Sequence, residues 1–67
     1  MTAINDVGDL TVEGDIGVLT LNSPPVNALS APVREAIHEG IKQAIADDKV
    51  KAIVLICDGR TFIAGAD

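Results

Sequence analysis

The sequence contains few of the residues that usually stabilise a small domain. Phe62 is its only aromatic residue, and tryptophan and tyrosine are absent. Cys57 is the only cysteine, so no disulfide can form within the chain. The single histidine, His38, has no cysteine or second histidine near it, so the spacing typical of a metal site is missing. A chain of 67 residues therefore has neither of the supports that often compensate for a small core.

Basic residues and long apolar runs are also scarce. Five basic and ten acidic residues give a formal net charge of −5, which argues against nucleic acid as a partner. No apolar run approaches the ~18 residues of a membrane span, and the N-terminus lacks the features of a signal peptide. A lone cysteine in an apolar run fits a reducing compartment, so the sequence predicts a cytoplasmic location.

Aliphatic residues, by contrast, are abundant. Hydrophobic residues make up 48% of the chain, which predicts a folded protein of at most one small domain. So much aliphatic surface in so short a chain suggests that further sequence or another subunit covers part of it. We expect marginal stability and association from the 67 residues by themselves.

The first part of the chain predicts a β-hairpin. Residues 1–8 are polar and are expected to be flexible. Residues 9–13 alternate polar and apolar side chains, as a half-buried strand does. After the Gly14-Asp15 turn, residues 16–21 form a second, more deeply buried strand, antiparallel to the first.

A helix is predicted from Ala31 to about Asp47. Ser30 is a suitable N-cap, and Pro32 is tolerated in the first turn. Gly40 weakens the helix by ~1 kcal/mol relative to alanine and suggests a close contact. The predicted apolar stripe consists of Val33, Ile37, Ile41, Ala44 and Ile45. The predicted polar face carries Arg34, Glu35, His38, Glu39, Lys42 and Gln43.

Residues 52–57 are apolar at every position, which is typical of a parallel strand covered on both faces. With residues 16–21 and the helix they predict a βαβ unit, so the fold class is α/β. One helix can cover only one face of such a sheet, so this strand needs a second covering layer. Cys57, at the end of the strand, is expected to be a buried small hydrophobe and not a nucleophile.

The candidate site lies where the two predicted parallel strands end. The loops from Asn22 to Leu29 and from Asp58 to Asp67 leave the carboxyl edge of the sheet, where α/β proteins bind ligands. Gly65 lies between two alanines, so the backbone N–H groups there are unshielded. The spacing alone leaves two alternatives, a site for an anion or oxyanion and a tight structural turn.

Three motifs carry a resemblance to a known family. They are Pro24-Pro25-Val26-Asn27-Ala28-Leu29-Ser30, Lys51-Ala52-Ile53-Val54 and Phe62-Ile63-Ala64-Gly65-Ala66-Asp67. In this order they resemble the crotonase (enoyl-CoA hydratase/isomerase) superfamily over residues 9–67. They look most like the N-terminal hydratase part of bifunctional β-oxidation enzymes, which also carry a 3-hydroxyacyl-CoA dehydrogenase. The resemblance implies a crotonase-type fold, incomplete in this chain.

The resemblance also implies roles for five residues. The Ala66 N–H matches one of two oxyanion-hole donors to a thioester carbonyl, and the Ala64 carbonyl matches the acceptor for the adenine amino group of coenzyme A. Gly65 keeps the turn between them open, and the Pro25-Val26 backbone lines the path of the adenosine or pantetheine. Family members often have a basic residue before the Asn-Ala-Leu element, whereas this chain has prolines, so we expect no phosphate contact there.

The implied function is hydration of trans-2-enoyl-CoA to 3-hydroxyacyl-CoA. The substrate is an acyl-CoA thioester, no cofactor or metal is expected in this segment, and NAD enters only if a dehydrogenase domain follows. The second oxyanion donor and the two catalytic glutamates of the family have no counterparts here, and Glu35 and Glu39 are not substitutes. The expected partners are the remainder of the fold or other subunits, including a homo-oligomer.

Three alternatives remain open from the sequence. The chain could be a catalytically inert piece of the same fold. It could belong to another enzyme of the superfamily, such as an isomerase, dehalogenase, decarboxylase or thioester hydrolase, because the oxyanion hole does not fix the reaction. It could also be a βαβ piece of an unrelated α/β protein.

Overall fold

A computed structural model describes residues 2–65 as a four-stranded sheet with one helix packed on it. The elements in chain order are β1 (Thr2–Asn5), β2 (Gly8–Glu13), β3 (Ile16–Leu21), α1 (Ala31–Ala46) and β4 (Ala52–Cys57). The strand order in the sheet is the same as in the sequence, β1-β2-β3-β4. The described chain is therefore a mixed α/β unit in which each strand lies beside the preceding one.

The hairpin and the βαβ unit predicted from the sequence are both confirmed. Strands β2 and β3 are antiparallel along their full length, with Leu10 opposite Leu19. Strands β3 and β4 are parallel, with Leu19 opposite Leu55. These three leucines form one row across the sheet beneath α1. Gly14 turns the hairpin at a φ of +62°, a conformation that glycine adopts without strain.

The first strand was missed by the sequence analysis. The stretch predicted to be flexible contains β1, which pairs antiparallel with β2 and has an irregularity between Ala3 and Asn5. Its turn into β2 is closed by the Asn5 side chain, whose Oδ1 accepts the Val7 N–H at 3.0 Å. The polar residues that form such a turn interrupt the alternation of polar and apolar side chains by which strands are recognised. How much residues 1–8 move stays a prediction.

Helix α1 begins and ends close to the predicted residues. Ser30 occupies the N-cap with its extended backbone, but its side chain makes no capping hydrogen bond. Pro32 lies in the first turn, where its missing N–H costs nothing. At the other end the Asp47 N–H donates to the Ala44 carbonyl at 3.1 Å. The proline and the apolar periodicity, more than a cap, thus mark the helix in the sequence.

The face that α1 buries differs from the predicted stripe. Val33 and Ala44 are buried as expected, but their companions are the small residues Ala36 and Gly40. Ile41 is exposed, and Ile45 is 72% exposed. The one-stripe prediction was therefore wrong for these two isoleucines. The physical reason is that small residues let the helix approach β1–β3 closely, which turns the larger isoleucines away from them.

Two glycines allow this close approach. A Cβ on Gly40 would lie 2.5 Å from Leu19 Cδ1, and a Cβ on Gly8 would lie 2.5 Å from the Ala36 Cβ. Real side-chain atoms do not approach this closely, so a larger residue at either position would force its neighbour to shift. The close contact predicted at Gly40 is confirmed.

Strand β4 is only partly covered by the described residues. The exposed fractions of Ile53, Val54 and Ile56 are 38%, 44% and 43%. Leu55 and Cys57 pack partly under α1, whereas Val54 and Ile56 lie on the face of the sheet opposite the helix. The prediction that one helix covers only one face of the sheet is confirmed for the described residues, and the second covering layer that the apolar run calls for is not among them.

Candidate functional site

The candidate site is formed by the loops that follow β3 and β4. We call residues 22–30 the proline loop and residues 58–65 the glycine loop. The two loops leave the same edge of the sheet, because β3 and β4 are adjacent and parallel. This edge is the usual position of ligand sites in α/β proteins. The structure therefore brings together the two loops that the sequence pattern singled out.

Backbone hydrogen bonds tie the two loops to each other. The Ala64 N–H donates to the Val26 carbonyl at 3.1 Å, and the Leu29 N–H donates to the Gly65 carbonyl, also at 3.1 Å. Each loop thus donates one backbone hydrogen bond to the other. The end of the glycine loop is thus fixed against the start of α1.

Asn27 connects the loops through its side chain. Its Nδ2 donates to the Asp58 carbonyl at 3.0 Å and to the Thr61 carbonyl at 2.8 Å, and its Oδ1 accepts the Ser23 N–H at 2.7 Å. The residue is only 3% exposed, and its φ is +51°. A neutral amide thus satisfies three backbone groups of the two loops at once.

The structure places four of the five predicted site residues in these loops. Ala64 contacts Val26 directly through the hydrogen bond described above, and Gly65 has a φ of +82°, which favours glycine at this position. Pro25 and Val26 are exposed on the surface of the proline loop, and the peptide bond before Pro25 is cis. Ala66, the predicted oxyanion donor, lies outside the described residues.

The Ala64 backbone has its N–H occupied and its carbonyl free within residues 2–65. No hydrogen-bond donor in that part of the chain reaches the carbonyl oxygen. Ala64 itself is half-buried. A half-buried carbonyl with an open lone pair can accept a donor from a ligand, as the predicted adenine contact requires.

Asn27 is the residue whose part in the site the sequence analysis missed. From the sequence, Asn27 was noted only as part of the motif Pro24-Pro25-Val26-Asn27-Ala28-Leu29-Ser30. Two signals were present: asparagine tolerates positive φ, and it commonly hydrogen-bonds to nearby backbone groups. Neither signal identifies the partners, Asp58 and Thr61, because they lie 31 and 34 residues away along the chain.

Cys57 lies beside the site but has no reactive character. The residue is half-buried and packs against the cluster of Leu21, Val33 and Ala36. Partial burial, reinforced by the neighbouring Asp58 carboxylate, raises the pKa of the thiol above its ordinary value. A raised thiol pKa favours the unreactive protonated form, which agrees with the predicted structural role.

One residue of the polar face of α1 reaches the loop cluster: the Arg34 guanidinium donates to the Leu29 carbonyl at 2.6 Å. His38 and Glu35 are exposed, as expected, and Glu39 is half-buried. A shallow concavity of about 530 Å³ runs along α1 and is lined by Arg34, Ile37, His38, Ile41, Lys42 and Ile45. Its lining is almost wholly apolar, so it offers a packing surface and no set of convergent polar groups.

Across residues 2–65, no helix has the length and apolar character needed to cross a membrane.

These observations define a class of protein before any relative is considered. It is an α/β protein in which two hydrogen-bonded loops form a candidate site at the carboxyl edge of a parallel strand pair. Backbone N–H groups in such a turn suit an oxygen that carries or develops negative charge.

Comparison with known families gives the identification. A model of the family described as "Enoyl-CoA hydratase/isomerase" matches residues 11–67. The match spans most of the chain and includes both loops. The chain belongs to the enoyl-CoA hydratase/isomerase family, and its sheet and helix are part of a crotonase-type fold. The resemblance drawn from the three sequence motifs is confirmed.

Individual relatives agree with the family. A peroxisomal bifunctional enzyme of Danio rerio is 43% identical over 56 residues, which cover 84% of this chain and 8% of that protein. A probable enoyl-CoA hydratase of Bacillus subtilis (strain 168) is 40% identical over 58 residues, covering 87% of this chain and 22% of that protein. The chain therefore spans less than a quarter of the length of either relative.

Proposed function

We propose that this protein, at its natural length, hydrates trans-2-enoyl-CoA to 3-hydroxyacyl-CoA in fatty acid β-oxidation. Water adds across the C2=C3 double bond, with its oxygen bonding to C3 and a proton going to C2. No electron transfer occurs, so the addition needs no redox cofactor. As the water oxygen attacks C3, the C2=C3 electron pair forms a C1=C2 bond and the carbonyl electron pair moves to the thioester oxygen, which carries the negative charge of the enolate until C2 is protonated.

The role proposed for this chain is to hold that oxygen. We place the thioester oxygen on the Ala66 N–H and the adenine amino group on the Ala64 carbonyl, with the Pro25-Val26 backbone lining the path between. One observation carries most of this proposal. The two backbone hydrogen bonds between the loops fix the peptide units of Ala64 and Gly65, directly before Ala66. A donor held in place before reaction stabilises developing charge without reorganisation.

The proposal gives this chain only part of the chemistry. The acid and base that add water, and the second oxyanion donor, are assigned to residues beyond the 67 described by the sequence. The chain alone is therefore expected to be inactive and to need the remainder of the fold or other subunits. We propose that NAD binds only if a dehydrogenase domain is joined to this one. The single reduced cysteine supports a reducing compartment, for which we propose the cytoplasm.

The test is product analysis with the natural-length protein and trans-2-butenoyl-CoA in ¹⁸O-labelled water. Hydration predicts a product heavier by one labelled water with the thioester intact. Isomerase activity would be seen as a shifted double bond without added water, and thioester hydrolysis as release of free coenzyme A thiol. Either of these as the main activity, with no hydration, would contradict the proposal.

Ala66 provides the test at the level of the site. Ala66→Pro removes the N–H and is expected to lower kcat by about a hundredfold or more, as the loss of an oxyanion donor does elsewhere. The matched Ala66→Gly variant keeps the N–H and is expected to lose far less. A folded Ala66→Pro protein with normal turnover would exclude this N–H from the oxyanion hole.

A further inference from the structure

Asn27 is buried between the two loops and uses its whole side chain to join them. We infer that Asn27 is a positioning residue that holds the glycine loop in register with the proline loop. It would thereby set the geometry of the acyl-CoA contacts that follow. The inference rests on the proposed function for its catalytic consequence, but not for its structural part.

The hydrogen bonds of Asn27 require an amide. Both hydrogens of Nδ2 are directed at carbonyl oxygens of the glycine loop, those of Asp58 and Thr61, while Oδ1 receives the Ser23 N–H of its own loop. A carboxylate could keep the last bond, but it would place negative charge against two carbonyl oxygens. A hydroxyl has one hydrogen and could serve only one of the two carbonyls.

The backbone conformation also limits which residue types can occupy position 27. A φ of +51° lies in the left-handed region, which glycine, asparagine and aspartate adopt more readily than other residues. Glycine would meet the backbone requirement without joining the loops. Asparagine is thus the residue that meets the conformational and the hydrogen-bonding requirement together.

The position of Asn27 explains how one side chain affects the whole loop. Its anchors at Asp58 and Thr61 hold the first half of the glycine loop, and the bonds of Val26 and Leu29 to Ala64 and Gly65 hold the second half. Removing the amide releases the first half, so the second half is tethered at one end only. The peptide units that precede Ala66 keep their bonds to Val26 and Leu29 but lose the support of the segment before them, so their direction is held less firmly.

The conformational effect can be measured without any assay of activity. In the natural-length protein, Asn27→Gly and Asn27→Asp keep a backbone compatible with the left-handed region and remove the two donors. Both are expected to speed amide hydrogen exchange in a peptide covering residues 58–65, while a peptide from β2 is unaffected. Asn22→Ala is the matched control, because Asn22 is an exposed asparagine at the start of the proline loop, which also contains Asn27.

Kinetics test the catalytic consequence. For trans-2-butenoyl-CoA, kcat is expected to fall by about tenfold or more in both Asn27 variants, with a smaller change in KM. The reason is that a misplaced loop weakens contacts to the oxygen whose charge develops during reaction. Equal thermal melting of the compared proteins in the presence of substrate analogue would separate this effect from unfolding.

The pH dependence distinguishes positioning from a simple loss of packing. Protonation of the carboxyl introduced by Asn27→Asp restores one donor, so its kcat relative to the parent protein is expected to rise as the pH falls. Asn27→Gly introduces no titratable group, so its relative kcat stays flat. The titratable neighbours Cys57, Asp58 and Arg60 are common to all the proteins, so the ratio cancels their contribution.

The outcomes separate the two proposals. Faster exchange in the glycine loop together with lower kcat supports the inference. Unchanged exchange and unchanged kcat in Asn27→Gly would overturn it while leaving the hydratase proposal intact. A parent protein without hydratase activity, but with faster exchange in the variants, would overturn the proposed function and keep the positioning of the loop.

Discussion

The two sides of the sheet are stabilised to very different degrees. Under α1, Leu19, Leu21 and Val33 are completely or almost completely buried, and glycines let the helix lie close to the strands. At β4, the side chains of Val54 and Ile56 keep more than two fifths of their surface exposed. Yet β4 is apolar at every position, whereas β2 and β3 contain polar residues and glycine. Burial here is therefore decided by which elements the described chain supplies, not by hydropathy.

The largest expected effect is on the covered side. Leu19→Ala removes a buried side chain from the centre of the leucine row and is expected to lower the free energy of unfolding by about 3 kcal/mol. Urea unfolding followed by far-ultraviolet circular dichroism measures it, since the chain has no tryptophan or tyrosine for fluorescence. A cost as small as that of an exposed isoleucine would mean that the two sides do not differ.

Gly8→Ala tests the closeness of helix and sheet. The new methyl group would meet the Ala36 Cβ, and neither atom can rotate away, so we expect a loss of about 2 kcal/mol. The control is the double variant Gly8→Ala with Ala36→Gly, which moves the methyl group across the contact. If the two changes are simply additive, the close contact is not the cause of the loss.

Ile56→Ala tests how much the open side of the sheet contributes to the free energy of unfolding. In the 67-residue chain the loss is expected to be below about 1 kcal/mol, because nearly half of the side chain is already in water. In a longer protein that covers this face, the same change is expected to cost about as much as Leu19→Ala. Equal small losses in both settings would show that the apolar face of β4 stays open.

The smallest effect concerns Cys57, at the border between the two sides. Its raised pKa lowers the thiolate fraction at any pH below that value, so alkylation by iodoacetamide at mildly alkaline pH is expected to be slower than for free cysteine. Asp58→Asn removes the smaller of the two causes and should speed the reaction modestly. Unfolding in urea should abolish the protection. Alkylation of the folded protein as fast as free cysteine would contradict the assigned burial.

The sequence predicted the elements well and their packing less well. The hairpin, the helix from Ala31 and the strand at residues 52–57 follow from local periodicity, which depends on neighbouring residues alone. The buried face of α1 does not, because the choice of Ala36 and Gly40 over Ile41 and Ile45 depends on how closely the helix approaches the sheet. Strand β1 was missed because a polar segment acquires strand structure only by pairing with β2.

The candidate site, like the fold, was predicted from the sequence only in part. That two loops meet at one edge follows from the βαβ pattern, and glycine at residue 65 agrees with the φ of +82°. The bridge from Asn27 to Asp58 and Thr61 could not be predicted, because it joins residues more than thirty positions apart. Hydrogen bonds between loops leave no periodic trace in a sequence.

The most direct test is a structure of the natural-length protein with a bound, unreactive acyl-CoA analogue. We expect the thioester oxygen to lie within hydrogen-bond distance of the Ala66 N–H and the adenine amino group to donate to the Ala64 carbonyl. We also expect Asn27 to keep its bonds to Asp58 and Thr61. An analogue bound away from the two loops, or a thioester oxygen held entirely by other groups, would contradict it.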